Sequence, residues 1–64
     1  MSRDRAEAIA LARTSGGNVD EVENEFEHGR AAWKVRVVKD GIRYDVYLDK
    51  ATGAIFRFEN EGRH

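Results

Sequence analysis

The spacing of apolar residues changes once along this chain, at Gly16-Gly17. Upstream, Ala6, Ile9, Ala10 and Arg13 lie along one helical stripe, with Ala8 and Ala12 beside it and Leu11 farther round. Residues 2 to 14 hold neither Gly nor Pro and are rich in Ala, Leu, Arg and Glu, which predicts one helix over about residues 3–14. Ser2 is a good N-cap, Asp4 with Glu7 offers a competing capping box, and the paired glycines supply a ready left-handed ending. So short a helix is marginal alone, and its small alanines suit close packing on a sheet.

Downstream the period is two. Val22, Asn24 and Phe26 alternate with Glu21, Glu23, Glu25 and Glu27; Trp33, Val35 and Val37 alternate with Lys34, Arg36 and Val38. Ile42, Tyr44, Val46 and Leu48 then alternate with Arg43, Asp45, Tyr47 and Asp49. Strands are expected over about residues 19–27, 31–39 and 42–49, the first two joined by a turn at His28-Gly29-Arg30. Asp40-Gly41 is a preferred two-residue type I′ turn, and so tight a loop dictates the register. Val37 should oppose Tyr44, Val35 oppose Val46 and Trp33 oppose Leu48 on an inner face, while Arg36 meets Asp45 on the outer one. The matching register of the first hairpin sets Val22 against Val35, Glu21 against Arg36 and Glu23 against Lys34, so opposite charges meet across three strands.

Asp49-Lys50-Ala51-Thr52-Gly53 has the Asp start and Gly end of a hairpin loop, and a fourth strand is expected over about residues 54–59. Pairing Asp49 with Ala54 puts Ile55 beside Leu48 and sends Phe56 and Phe58 outward to Tyr47. A one-residue shift makes both Phe core and leaves Ile55 and Arg57 outside, and both frames are open at this point. Asn60 to His64 carries no pattern and is expected to fray. Trp33 reads as a core anchor between Phe26 and Leu48, and Asn24 is an anomalous polar residue on the same inner face. The expected class is α+β: one domain over residues 1–64, an N-terminal helix packed on a four-stranded antiparallel meander in the order α-β-β-β-β.

Charge and composition then narrow the function. Eleven Lys and Arg against twelve Asp and Glu leave a formal charge of −1, with no basic field for nucleic acid and no polybasic membrane patch. No apolar run approaches the ~18 residues of a spanning helix, so direct membrane insertion is not expected. There is no Cys, hence neither a disulfide framework nor a thiolate metal site. His28 and His64, the two histidines, fall in a turn and at the terminus, without the spacing of a metal site or an acid–base pair. The glutamates at 21, 23, 25 and 27 diverge along a flat strand, whereas Ca²⁺ needs six to eight converging oxygens. Asp40 and Asp49 are turn residues, and no serine or threonine stands in a nucleophile motif. No enzyme, cofactor or metal is expected.

The order of these pieces carries a resemblance. An Ala-rich helix ending in Gly-Gly, a Val-x-x-Val entry to the first strand, Trp33-x-Val35-x-Val37, Tyr-x-Val-x-Leu-Asp over Tyr44 to Asp49 and Ala-Thr-Gly-x-Ile over Ala51 to Ile55 together resemble the PepSY domain family. The resemblance implies a helix on an antiparallel sheet. It also implies bacterial secreted or membrane-associated parents, an extracytoplasmic or cell-envelope setting, and a regulatory link to peptidases, among them the thermolysin-like metallopeptidases whose propeptides carry such domains. No catalytic residues come with it.

Tyr47, Phe56 and Phe58, extended by Val38 and Ala32, are expected as an aromatic patch on the face away from the helix, with Arg36 and Lys34 beside them. The expected function is a non-catalytic protein-binding or regulatory module for a peptidase or an adjoining domain. The alternative is a structural or self-associating domain, a homodimer through the open sheet face without any peptidase connection.

Overall fold

The computed structural model describes residues 1–64. Helix α1 spans Arg3–Thr14, and four strands follow: β1 Asn18–Glu27, β2 Arg30–Lys39, β3 Ile42–Asp49 and β4 Ile55–Arg63. They form one antiparallel sheet in the order β1-β2-β3-β4, so every strand pairs only with its neighbours along the chain. This is the α-β-β-β-β arrangement expected from the sequence.

Ser2 is the N-cap, its hydroxyl accepting from the Arg5 N–H, which decides against the capping box at Asp4. The helix ends one residue before the glycines. Ser15 itself adopts the left-handed conformation, with φ 61°, and its N–H and that of Gly16 close on Ala12 and Leu11 carbonyls. The Lys39 ammonium adds to this end by donating to the Thr14 and Ser15 carbonyls, a cation placed against the negative pole of the helix.

Ala6 and Ala10 are fully buried and bring α1 down onto Val35, Val37, Val46 and Leu48, also fully buried. Ile9, Leu11, Val19, Val22, Trp33, Ile55 and Phe58 close the rim of this core. Twelve helical residues cover only about 18 Å, whereas a ten-residue strand runs to about 33 Å. The inner face of the sheet therefore outlasts its helix. Phe26, expected in the core, lies beyond that cover and is 74% exposed. Trp33 is half-buried at the rim instead of central; its indole N–H donates to the Met1 carbonyl, and Lys50 Nζ lies 4.2 Å from the ring centre. Asn24 is exposed at the same end and accepts from Lys50 Nζ, so its place on the inner face leaves no buried amide unpaired.

Both short turns are two-residue loops with positive φ at each position, His28-Gly29 (52° and 75°) and Asp40-Gly41 (52° and 76°). They produce the expected registers: Val35 opposes Val22 and Val46, Trp33 opposes Leu48, and Arg36 lies between Glu21 and Asp45. An extra residue, Asp20, separates the pairs at Val19 and Glu21, so that Val19 and Val22 both turn inward.

Strand β4 departs from both frames offered by the sequence. Ile55 pairs with Leu48, but Tyr47 pairs with Arg57 and Val46 with Phe58, leaving Phe56 as an extra residue. The bulge keeps Ile55 inward and Phe56 outward, as in one frame, yet turns Phe58 inward, as in the other. A second extra residue, Glu61, precedes the pairs of Gly62 with Arg43 and Arg63 with Ile42. The strand therefore continues past residue 59, and Asn60 to Arg63 are paired where fraying was expected. The His64 N–H still donates to the Gly41 carbonyl, at 2.8 Å. Ladder bonds need no apolar side chain, which is why alternation gave no sign of this extension.

Candidate functional site

The far side of the sheet carries an ion-pair network built by register. Arg36 faces Asp45 in a two-pronged bond, Nε to Oδ1 at 2.7 Å and one terminal nitrogen to Oδ2 at 2.9 Å. Its other terminal nitrogen is 3.8 Å from Glu21, so a single guanidinium bridges β1, β2 and β3. Lys34 repeats the arrangement one step along, 3.3 Å from Glu23 and 3.9 Å from Asp45. Asp45 is only 2% exposed, and the Arg36 guanidinium is held above its ordinary pKa by that carboxylate. At Lys34, burial works against the charged form, but Glu23 and Asp45 outweigh it and the pKa rises. Glu23 is pulled below the usual carboxylate range by its hydrogen bond with Glu21 and by Lys34, and Glu21 rises correspondingly through the same shared bond.

Removing the centre of this network has a defined effect. Asp45→Asn keeps the shape but leaves Arg36 only its longer contact with Glu21, at 3.8 Å. The expected destabilisation is about 2–3 kcal/mol, between exposed and fully buried pairs, read as a lower urea midpoint with unchanged denaturant slope.

The expected aromatic patch takes a different form. Tyr47 is only 7% exposed, and the open-face reading of it as a free ring is corrected by what lies above it. Arg57, on one edge strand, packs 4.3 Å from the Tyr47 ring centre and reaches across the face to Glu27 on the other edge strand, at 2.9 Å. Burial accordingly pushes the Tyr47 phenol above its ordinary pKa. Phe56 packs beside Tyr47, ring centres 6.2 Å apart, with Arg30 at 4.9 Å from the Phe56 ring. Phe58 is absent from this side: it stacks on Tyr44 at 5.6 Å beneath the Arg13 guanidinium, which sits 3.8 Å from its ring centre. Ala32 is wholly buried, and Val38 stays half-exposed at the margin. Of the residues proposed from sequence, Tyr47, Phe56, Lys34, Arg36 and Val38 share the open face and Phe58 does not. Arg57 and Arg30 were missed, because a cation stacked over an aromatic ring leaves no mark in alternation.

Two other features could bear chemistry. Asp45, Glu59 and Glu61 bring carboxylate oxygens within 4.8 Å of one another, but Asp45 already serves Arg36 and Glu59 binds Arg57. A cavity of about 250 Å³ lies between the end of α1 and the sheet, lined by Arg13, Thr14, Lys39, Asp40, Tyr44 and Phe58. Three of its polar side chains are engaged in structure: the Thr14 hydroxyl donates to the Gly16 carbonyl, at 2.8 Å, while Lys39 caps the helix and Arg13 stacks on Phe58.

The model of the PepSY family, described as the peptidase propeptide and YPEB domain, matches residues 1–59. The chain belongs to the PepSY family. A crystal structure of a protein from Clostridium difficile 630, described as a lipoprotein, has the same fold as this PepSY chain, with a TM-score of 0.88 and 30% identity. That likeness covers 95% of the PepSY chain described here but 40% of the lipoprotein, so the chain spans about two fifths of the longer protein. No curated protein sequence matches.

Proposed function

We propose that this PepSY domain is a non-catalytic protein-binding and regulatory module that meets a peptidase, or an adjoining domain, through its open sheet face. The observation that carries the reading is the uncovered far side of the sheet, where Lys34, Arg36, Asp45, Arg57 and Glu27 are already fixed by one another. A docking surface ordered in advance loses little side-chain freedom on binding, and Arg is among the residues that most often anchor interfaces. The family's description as a peptidase propeptide supports a peptidase as the partner. Likeness to a lipoprotein supports an extracytoplasmic, cell-envelope setting, and no helix of the chain is long and apolar enough to cross a membrane.

The test is to titrate the domain against a thermolysin-type metallopeptidase while following peptide hydrolysis. The expected result is dose-dependent inhibition that a Phe56→Ser variant loses while its melting curve shows it still folded at the assay temperature. Unchanged hydrolysis at every ratio would remove the peptidase reading. Sedimentation as a stable dimer, with the open face occluded, would favour the self-associating alternative.

A further inference from the structure

The sheet has two free edges, β1 and β4, and they are not equivalent. Strand β4 is broken by extra residues at Phe56 and Glu61, so its longest even run is Arg57 to Asn60. Strand β1 has its one irregularity at Asp20, and from Glu21 to Glu27 its pairing is unbroken. Irregular edges resist added strands, whereas a long regular one presents a template.

The backbone direction on β1 follows from the His28-Gly29 turn. The turn bond joins Glu27 to Arg30, and in an antiparallel ladder bonded and non-bonded pairs alternate. Glu27, Glu25, Glu23 and Glu21 therefore direct their backbone groups to β2. Those of Val22, Asn24 and Phe26 point outward from the sheet.

Charge and apolar surface then specify what fits. Strand β1 carries five carboxylates, Asp20, Glu21, Glu23, Glu25 and Glu27, and no cation. Glu21, Glu23 and Glu27 lean on Arg36, Lys34 and Arg57, whereas Glu25 takes part in no ion pair. The side chains of Glu21 and Glu23 also remain 39% and 44% exposed. On the opposite face of the same strand, Phe26 is 74% exposed. A second β1 laid along this edge would set carboxylates against carboxylates, which disfavours self-pairing.

We propose that β1 is a strand-addition site for an extended segment that alternates Lys or Arg with apolar residues. The basic positions would lie beside Glu23 and Glu25 on the open face, and the apolar positions beside Phe26 and Val22 on the other. The inference rests on the protein-binding reading but uses a different surface, so each can fail without the other.

The test uses the full chain, isotope-labelled, with a peptide alternating lysine and valine over about nine residues. Amide exchange at Val22, Asn24 and Phe26 is expected to slow at least about tenfold on peptide addition, with the effect fading as salt rises. A peptide with glutamate in place of lysine should give no protection. Glu25→Lys should weaken binding about tenfold, and Phe26→Ser several-fold without altering the melting temperature. Four results would overturn the proposal: no added protection at those three amides with millimolar peptide; protection of β4 amides instead; equal binding by the glutamate peptide; or protection of the three amides in a peptide-free dimer. None depends on a peptidase.

Discussion

Leu48→Ala is expected to leave the domain largely unfolded at room temperature. Leu48 is fully buried near the end of β3, in one cluster with Val35, Val37 and Val46 under Ala6 and Ala10. Truncating such a leucine costs about 2–5 kcal/mol, because the lost transfer energy is compounded by a cavity that the surroundings only partly fill. A single core in a chain this short rarely supplies more than about 3–5 kcal/mol, so the loss is comparable with the whole. Here collapse of the void is hindered further, since the sheet backbone beneath is held on both sides by ladder bonds to β2 and β4. Circular dichroism against temperature and urea would measure it. A melting curve within a few degrees of wild type would mean that the core is centred elsewhere.

Gly17→Ala is expected to be the next most damaging change, and Gly16→Ala provides its control. Both glycines have strongly positive φ, 109° at Gly16 and 111° at Gly17, so an alanine at either is strained by about 1–3 kcal/mol. The surroundings differ. A Cβ on Gly16 meets nothing within 4 Å, whereas one on Gly17 would come to 2.8 Å from the Val38 carbonyl oxygen and 2.9 Å from Val37 Cγ1. Relief would require moving β1 away from β2 at its entry or tilting the helix off Val37. The expected difference is at least about 1–2 kcal/mol in unfolding free energy, with Gly17→Ala the weaker protein. Equal destabilisation would show that backbone conformation alone governs this junction.

The first three strands were legible because two kinds of information agree there. A two-residue Asp-Gly loop fixes which residues face each other, and the apolar alternation of β2 and β3 satisfies that pairing without adjustment. The same reasoning carried the Glu21–Arg36–Asp45 and Glu23–Lys34 contacts, which are consequences of register more than of attraction. It failed at Phe58 because alternation assumes one frame per strand, and the extra residue at Phe56 changes frame in the middle of β4. The two phenylalanines thus serve opposite faces though only one residue separates them. Tyr47 was misjudged for another reason. Its face was read correctly, but its cover comes from Arg57, a charged side chain whose stem and guanidinium shield the ring as an apolar residue would. Phe26 shows the converse: its face was also right, yet α1 is too short to reach it.

The bulge in β4 has a meaning for how this chain tolerates change. It divides the last strand into two segments that answer to different constraints: Ile55 follows the Asp49 loop, while Phe58 follows Tyr44 and Arg13. A gained or lost residue in that loop can be absorbed at the irregularity before it reaches Phe58. The Phe58 end of the core is in this way insulated from variation in the loop's length.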